Sequence, residues 1–452
     1  MGMLKPKYEK CNVTFYVNGK HRSTYEGFLR LLRNTPLINT FFISDPVIHG
    51  QFELPREIAY LYSDKEFGRL SRIYQLGEKH LGIREAVHTR ADHSMGCSIT
   101  TGIVLRNSKN QQKISLSESD IADYMTAGLL HDSGHFPIGH INYEKLNDIG
   151  IECNEKKNTV DKVRKMECIL KKYGFDFNKI VSILKGNDPL SYMYDYPVDI
   201  DKFDYKVRDG MICHVNSLPT PLSICNSLLN NLLATEEGWL IQQPLPRESI
   251  KKTVRSSITD LNRLRHDLYE RIYWNDSRGR STDVMIKYLI GKYVDVLRKE
   301  GINSFDIVQL FLGLDDVQFY KNLMKKLPEN RVLKRLIDAH KYPEETENIL
   351  WKPVCKKYGD EAEKIVKENG LKSIEMEDKD GNIVAIDVRP LKKPKRFKIL
   401  VEYREAGETP ITDETFVFHE PQNALVIYSQ EPYLRGESAL RKALKLFEKQ
   451  TN

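Results

Sequence analysis

LLHDSGHFPIGH, residues 129–140, sets adjacent His131 and Asp132 at the end of an apolar helical run. HTRADHSMG, residues 88–96, puts His93 near the start of an earlier helix. Further on, DKFDYKVRD opens a strongly periodic segment with Asp201. Three elements far apart in the chain thus carry two imidazoles and two carboxylates that can converge on one divalent ion. A mixed nitrogen and oxygen set suits Mn, Mg, Fe, Co, Ni or Zn and does not choose among them. With a coordination position left open, it favours water activation over a purely structural role. The plain alternative is a satisfied helix-end pair at His131 and Asp132, with a separate core hydrogen bond at His93.

The rest of the chain gives these elements a setting. At 452 residues, with 40% hydrophobic and 29% charged residues, it has the composition of a globular protein of two or three domains. Seven cysteines without a CxxC pair argue against a disulfide framework and a cysteine zinc knot. A reducing, cytoplasmic setting is therefore expected, and the first residues carry no apolar run typical of a secretory signal. No apolar run is long enough to span a membrane. With 69 Lys plus Arg against 63 Asp plus Glu, the surface is mildly basic, compatible with anionic ligands but not diagnostic of them. The basic run KKPKRFKILVEYR reads as a charged strand flank; nucleic-acid binding stays open without support.

Helical patterning recurs at 90–107, 118–131, 157–173, 201–209, 220–234, 246–274 and 281–298, with Ser117 or Ser119 capping the second stretch. The texture turns strand-like after the DKDGN turn at Gly381, and a helix closes the chain. The expectation is a mainly α protein: an N-terminal hairpin and helix over 1–43, a helical core over 44–300, a helical extension over 301–378, and a small α+β domain over 379–452.

Taken together, SDPVIHGQFELP, EFGRLSRIYQLG, TRADHSMG, LLHDSGHFPIGH, VDIDKFDYKVRDG and LRHDLYERIYW resemble the HD-domain phosphohydrolases. The likeness is to their deoxynucleoside triphosphate triphosphohydrolase branch and covers roughly residues 44–300. It implies an all-helical HD core and a metal set of His93, His131, Asp132 and Asp201. It also implies phosphate contacts from Arg90, Lys202 and Arg265, and sugar or base contacts from Gln75, Leu76, Tyr205, Asp209 and Tyr273. His135 and His140 resemble positions that touch phosphate or assist the attacking water, alongside Asp132. Nucleotide is the implied substrate and a homo-oligomer, dimer or higher, the implied assembly.

One position departs from that pattern. The relatives carry a His-Glu pair after the HDxGHxPxxH segment, and Asn158 and Thr159 align there instead. Asn supplies no titrating proton near neutrality, so Glu155, Glu144 or His140 becomes the fallback acid. Ser71 and Gly68 stand where regulated relatives have polar activator-site residues, which makes an identical guanine-specific activator site unexpected. Two rival readings remain at this stage: an HD phosphohydrolase acting on another nucleotide or phosphate ester, and a nucleotide-binding scaffold of low activity.

Overall fold

The protein is described from a computed structural model. It covers residues 40–451 except 46, 216–219, 230, 245–252, 274–276, 379–381, 390–394, 405–410, 419–423 and 430–434. The hairpin and helix expected before residue 40 lie outside the described residues. A mainly helical core carries a small C-terminal mixed α/β region.

Strands β1 (Thr40–Asp45) and β2 (Gly50–Pro55) form an antiparallel hairpin at the edge of the helical core. The helix Arg90–Asn110 runs through the middle of that core. Its start is set by a reciprocal capping box between Thr89 and Asp92. The next helix, Glu118–Leu130, starts the same way on Ser117 and Asp120. Residues from Arg90 to Leu105 are buried on almost every side, so the central helix has no polar stripe. Small residues along it let neighbours approach. A Cβ on Gly96 would lie 2.0 Å from Asp204 Oδ1 and 2.1 Å from an Arg208 nitrogen.

The Glu118–Leu130 helix ends just before His131, and the chain continues as turns. His131 and His135 therefore do not share a helical face, although they stand four residues apart. Gly134 and Pro137 break the helical run, and Ile138 and Gly139 both adopt positive φ, 56° and 70°. A β-branched residue is strained there. Asp316 holds it by accepting the Ile138 N–H at 2.7 Å. Phe136 anchors the same loop, with its ring stacked on Tyr143 at 4.2 Å and edge-on to Phe311 at 5.9 Å. These contacts belong to a second core formed with the helices Ser277–Lys299, Ser304–Gly313, Asp316–Lys326 and Arg331–Lys341.

Strands β5 (Lys352–Tyr358) and β6 (Ile374–Glu377) fall inside the stretch read as helical from sequence. With β7 (Ile383–Arg389) and β10 (Ala424–Ser429) they make an antiparallel sheet in the order β5-β10-β7-β6. Alternation decides what each face covers. Ala424, Val426 and Tyr428 pack on the second helical core. Leu425 and Ile427 face a third core closed by the helices Gly359–Glu368 and Gly436–Thr451.

The remaining late strands, β8 (Lys395–Arg404) and β9 (Ile411–Phe418), pair elsewhere. They extend the hairpin of β3 (Leu232–Thr235) and β4 (Gly238–Pro244), with β8 parallel to β4.

Candidate metal centre

Three elements supply the four expected ligands: the central helix gives His93, the turn after Leu130 gives His131 and Asp132, and the helix Ile200–Ile212 gives Asp201. They meet. His93 Nε2 lies 3.1 Å from Asp201 Oδ1 and 3.9 Å from Asp132 Oδ2. His131 Nε2 lies 3.5 Å from Asp132 Oδ1 and 3.7 Å from Asp201 Oδ1. The two imidazoles sit edge to face with centroids 5.1 Å apart.

Each ring is held through its other nitrogen. His131 Nδ1 donates to the Gly128 carbonyl at 2.7 Å, and His93 Nδ1 faces Asp204 Oδ2 at 2.9 Å. Both Nε2 lone pairs are thereby directed at the two carboxylates, the usual arrangement around a bound metal. His131 Nε2 is buried and has no hydrogen-bond partner. That orphaned atom, facing two carboxylates and a second imidazole, fits a divalent cation. Burial works against protonating His93, but Cys97, Asp201 and Asp204 outweigh it and hold its pKa well above the ordinary value. An ion would supply the same positive charge without the proton.

Asp204 is one of the residues that sequence reasoning missed. It is fully buried and pairs with Arg208, which in turn makes two bonds to Asp45 at 3.0 and 2.8 Å. Asp201, Tyr205 and Asp209 are spaced four apart on the helix, and Asp204 falls outside that spacing. Its signal was available only as the aspartate three residues beyond a ligand. Tyr194 was missed as well; it stacks on His131 at 6.4 Å and hydrogen-bonds Thr101 at 2.7 Å.

The other candidates fall into groups. Arg90 is buried and donates to Asp132 at 2.6 Å, while its Nε has no hydrogen-bond partner. His135 and His140 lie together, with rings 4.8 Å apart. Glu155, at the start of the helix Glu155–Lys165, reaches both, at 2.9 and 3.5 Å. Burial and the nearby Arg90 charge push the His135 pKa down to about 4, so it is neutral at pH 7. Burial opposes ionisation of Glu155, yet the two histidines hold its carboxyl far below the ordinary range. Asn158 and Thr159 sit behind Gly134 instead: Thr159 Oγ1 donates to the His131 carbonyl at 2.9 Å, and Asn158 bonds Tyr143. Glu144 pairs with Lys287 at 2.6 Å.

Asp209 is buried between His88, at 2.7 Å, and the Tyr273 hydroxyl. Gln75 joins the same side through its backbone N–H, which donates to the His88 carbonyl at 2.9 Å, and Leu76 packs on the core beside it. Tyr205 is half-buried, 6.5 Å from the His93 ring. Lys202 turns back to Asp199. Arg265 lies over the Tyr269 ring at 4.9 Å. Lys206, unmarked in the sequence, is fully buried, and burial with the Arg265 charge pushes its ammonium down to about 7.

Fold and site together define a helical protein with a histidine–carboxylate centre suited to one divalent ion. Comparison with known proteins adds distant, partial-length homology to the HD-domain deoxynucleoside triphosphate triphosphohydrolases. The chain is 28% identical over 222 residues to deoxynucleoside triphosphate triphosphohydrolase SAMHD1 of Gallus gallus, covering 41% of this chain and 35% of that protein. It is 35% identical over 100 residues to the Homo sapiens protein of the same name, covering 22% and 16% respectively. The chain thus spans only about a third or less of those relatives. A longer match, 22% identical over 337 residues, joins 66% of this chain to 76% of an uncharacterised Mycoplasma genitalium protein. No family profile matches the chain. Among the described residues, no helix is long and apolar enough to cross a membrane.

Proposed function

We propose that this protein hydrolyses deoxynucleoside triphosphates to deoxynucleoside and triphosphate, with one divalent ion held by His93, His131, Asp132 and Asp201. The observation that carries the reading is the meeting of those four side chains, with each imidazole fixed so that Nε2 faces the carboxylates. Such an ion, when bound, polarises a phosphoryl oxygen and acidifies water for in-line attack at the α-phosphorus.

The chain's own groups do the rest. Arg90 braces Asp132 and has a spare buried donor for a phosphate oxygen. Neutral His135 has a single N–H, which the Glu155 carboxylate accepts, so it positions Glu155 without adding charge. Glu155 is ionised at neutral pH, so it is an acceptor that holds His135 and His140, not the proton donor. His140, the exposed member of the trio, delivers the proton to the leaving 5′ oxygen. This dyad replaces the His-Glu pair that Asn158 and Thr159 cannot supply. Lys202 and Arg265 add positive charge for phosphate. Gln75, Leu76, Tyr205, Asp209 and Tyr273 form the sugar and base side. A homo-oligomer completes the proposal, and light scattering on the purified chain tests it.

The substrate class comes from the activity named for the relatives; the reaction is tested by its products. The chain should be incubated with each dNTP, each NTP and several monophosphates under Mn, Mg, Co and Fe, and the products resolved by anion exchange. Triphosphate with deoxynucleoside is expected. Release of orthophosphate alone would move the chain to a different phosphoester chemistry.

A further inference from the structure

A second cluster lies outside this centre. Glu78 sits in the short turn Gly77–Leu81, only 1% exposed, and its Oε2 accepts no aligned hydrogen bond. Two imidazole nitrogens are aimed at that one oxygen: His340 Nε2 at 3.0 Å and His80 Nε2 at 3.7 Å. The ligand atoms of all three residues lie within 4.8 Å of one another. His80 is held through its other nitrogen, with Nδ1 facing the Gly77 carbonyl at 3.3 Å. Aromatic walls fix the two rings: Tyr74 lies 4.7 Å from His80 and Tyr320 5.3 Å from His340.

A buried carboxylate needs a positive partner. Two histidines converging on it with fixed rings is more than one proton requires. Zinc held by nitrogen and oxygen at about 2.0–2.2 Å in a tetrahedron spaces its ligands about 3.4 Å apart. The separations here bracket that value. Two imidazoles and one carboxylate favour zinc-class ions over Mg or Ca.

We propose that Glu78, His80 and His340 form a second metal site, selective for zinc-class ions, which clasps the loop carrying Gln75 and Leu76 to the helix Arg331–Lys341. Water or the Tyr320 hydroxyl fills the fourth position. The site is structural: it fixes one wall of the nucleotide side from 260 residues away in sequence and holds no substrate itself.

The test counts zinc on the full chain by equilibrium dialysis against ZnCl2 and mass-spectrometric metal analysis. Wild type should bind two equivalents. His340→Ala, on an exposed helical position, and His80→Gln should each bind one, as should Asp201→Ala, which spares the clasp. Zinc should raise the Tm of Asp201→Ala and leave that of Asp201→Ala/His340→Ala unchanged. Unaltered zinc content in both His340→Ala and His80→Gln, with folding verified by circular dichroism, would overturn the proposal.

Discussion

Replacing Gly134 with alanine plants a methyl group against backbone that cannot rotate away. The new Cβ would lie 2.2 Å from Thr159 N and 2.6 Å from both Asn158 C and Thr159 Cα. Carbon contacts are comfortable only at about 3.5 Å or more, so the helix Glu155–Lys165 must retreat by about 1 Å. Overpacking of this kind costs about 1–3 kcal/mol, and the upper end applies because no side chain can yield. The retreat also loosens the 3.3 Å bond from Gly134 N–H to Thr159 Oγ1 and draws Glu155 from His135 and His140. A 1 Å displacement in a reacting constellation costs about 100-fold in rate. Urea unfolding should therefore show a loss of about 3 kcal/mol, and turnover should fall by about two orders of magnitude with the metal content kept. Gly68→Ala is the control, since nothing lies within 4 Å of its added Cβ. A Gly134→Ala protein within about 0.5 kcal/mol of wild type and equally active would refute the packing account of this loop.

Asp204→Asn should weaken metal binding about 10–100-fold, because it removes the charge that orients His93 from behind; calorimetric metal titration reads this. Glu155→Gln should leave metal content intact while turnover drops by about 10²–10⁴, measured under saturating metal and substrate. Asp316 contributes a pH-dependent stability of its own. Burial raises its pKa to about 7 from 3.8, so between those values the folded state binds the proton that the unfolded chain has released. Its contribution is full below about pH 4 and is lost as pH rises through 7, by at most about 4 kcal/mol. Asp316→Asn should flatten that slope in denaturation curves taken from pH 4 to 8, although one of the two N–H groups it accepts, Tyr74 at 2.9 Å or Ile138 at 2.7 Å, loses its acceptor.

Local signals were legible in the sequence. Ser117, one of the two caps expected for the second helix, does cap it, by a contact that depends only on neighbours along the chain. The residues His93, His131, Asp132 and Asp201 were singled out by the adjacent His131 and Asp132 and by the family resemblance, and the fold brings the four together. What stayed hidden depends on long-range contact. Arg208 meets Asp45 across 163 residues, and no spacing rule could pair them. The parallel pairing of β4 with β8 follows from where two distant strands are carried, not from their periodicity. His135 stands four residues beyond His131 but not on its helix, because Gly134 and Pro137 keep the chain from continuing helical after Leu130. The departure at Asn158 and Thr159 was visible, and Glu155, Glu144 and His140 were the candidates to replace the pair; spacing could not choose among them, whereas the fold sets Glu155 against His135 and His140 and pairs Glu144 with Lys287.

The most direct measurement is crystallographic. Crystals of the chain soaked in Mn(II) and measured for anomalous scattering should show a peak within bonding distance of His93 Nε2, His131 Nε2, Asp132 and Asp201, absent in Asp201→Ala. A peak elsewhere with none among these four side chains, or four ligands that stay hydrogen-bonded to one another in saturating metal, would contradict it.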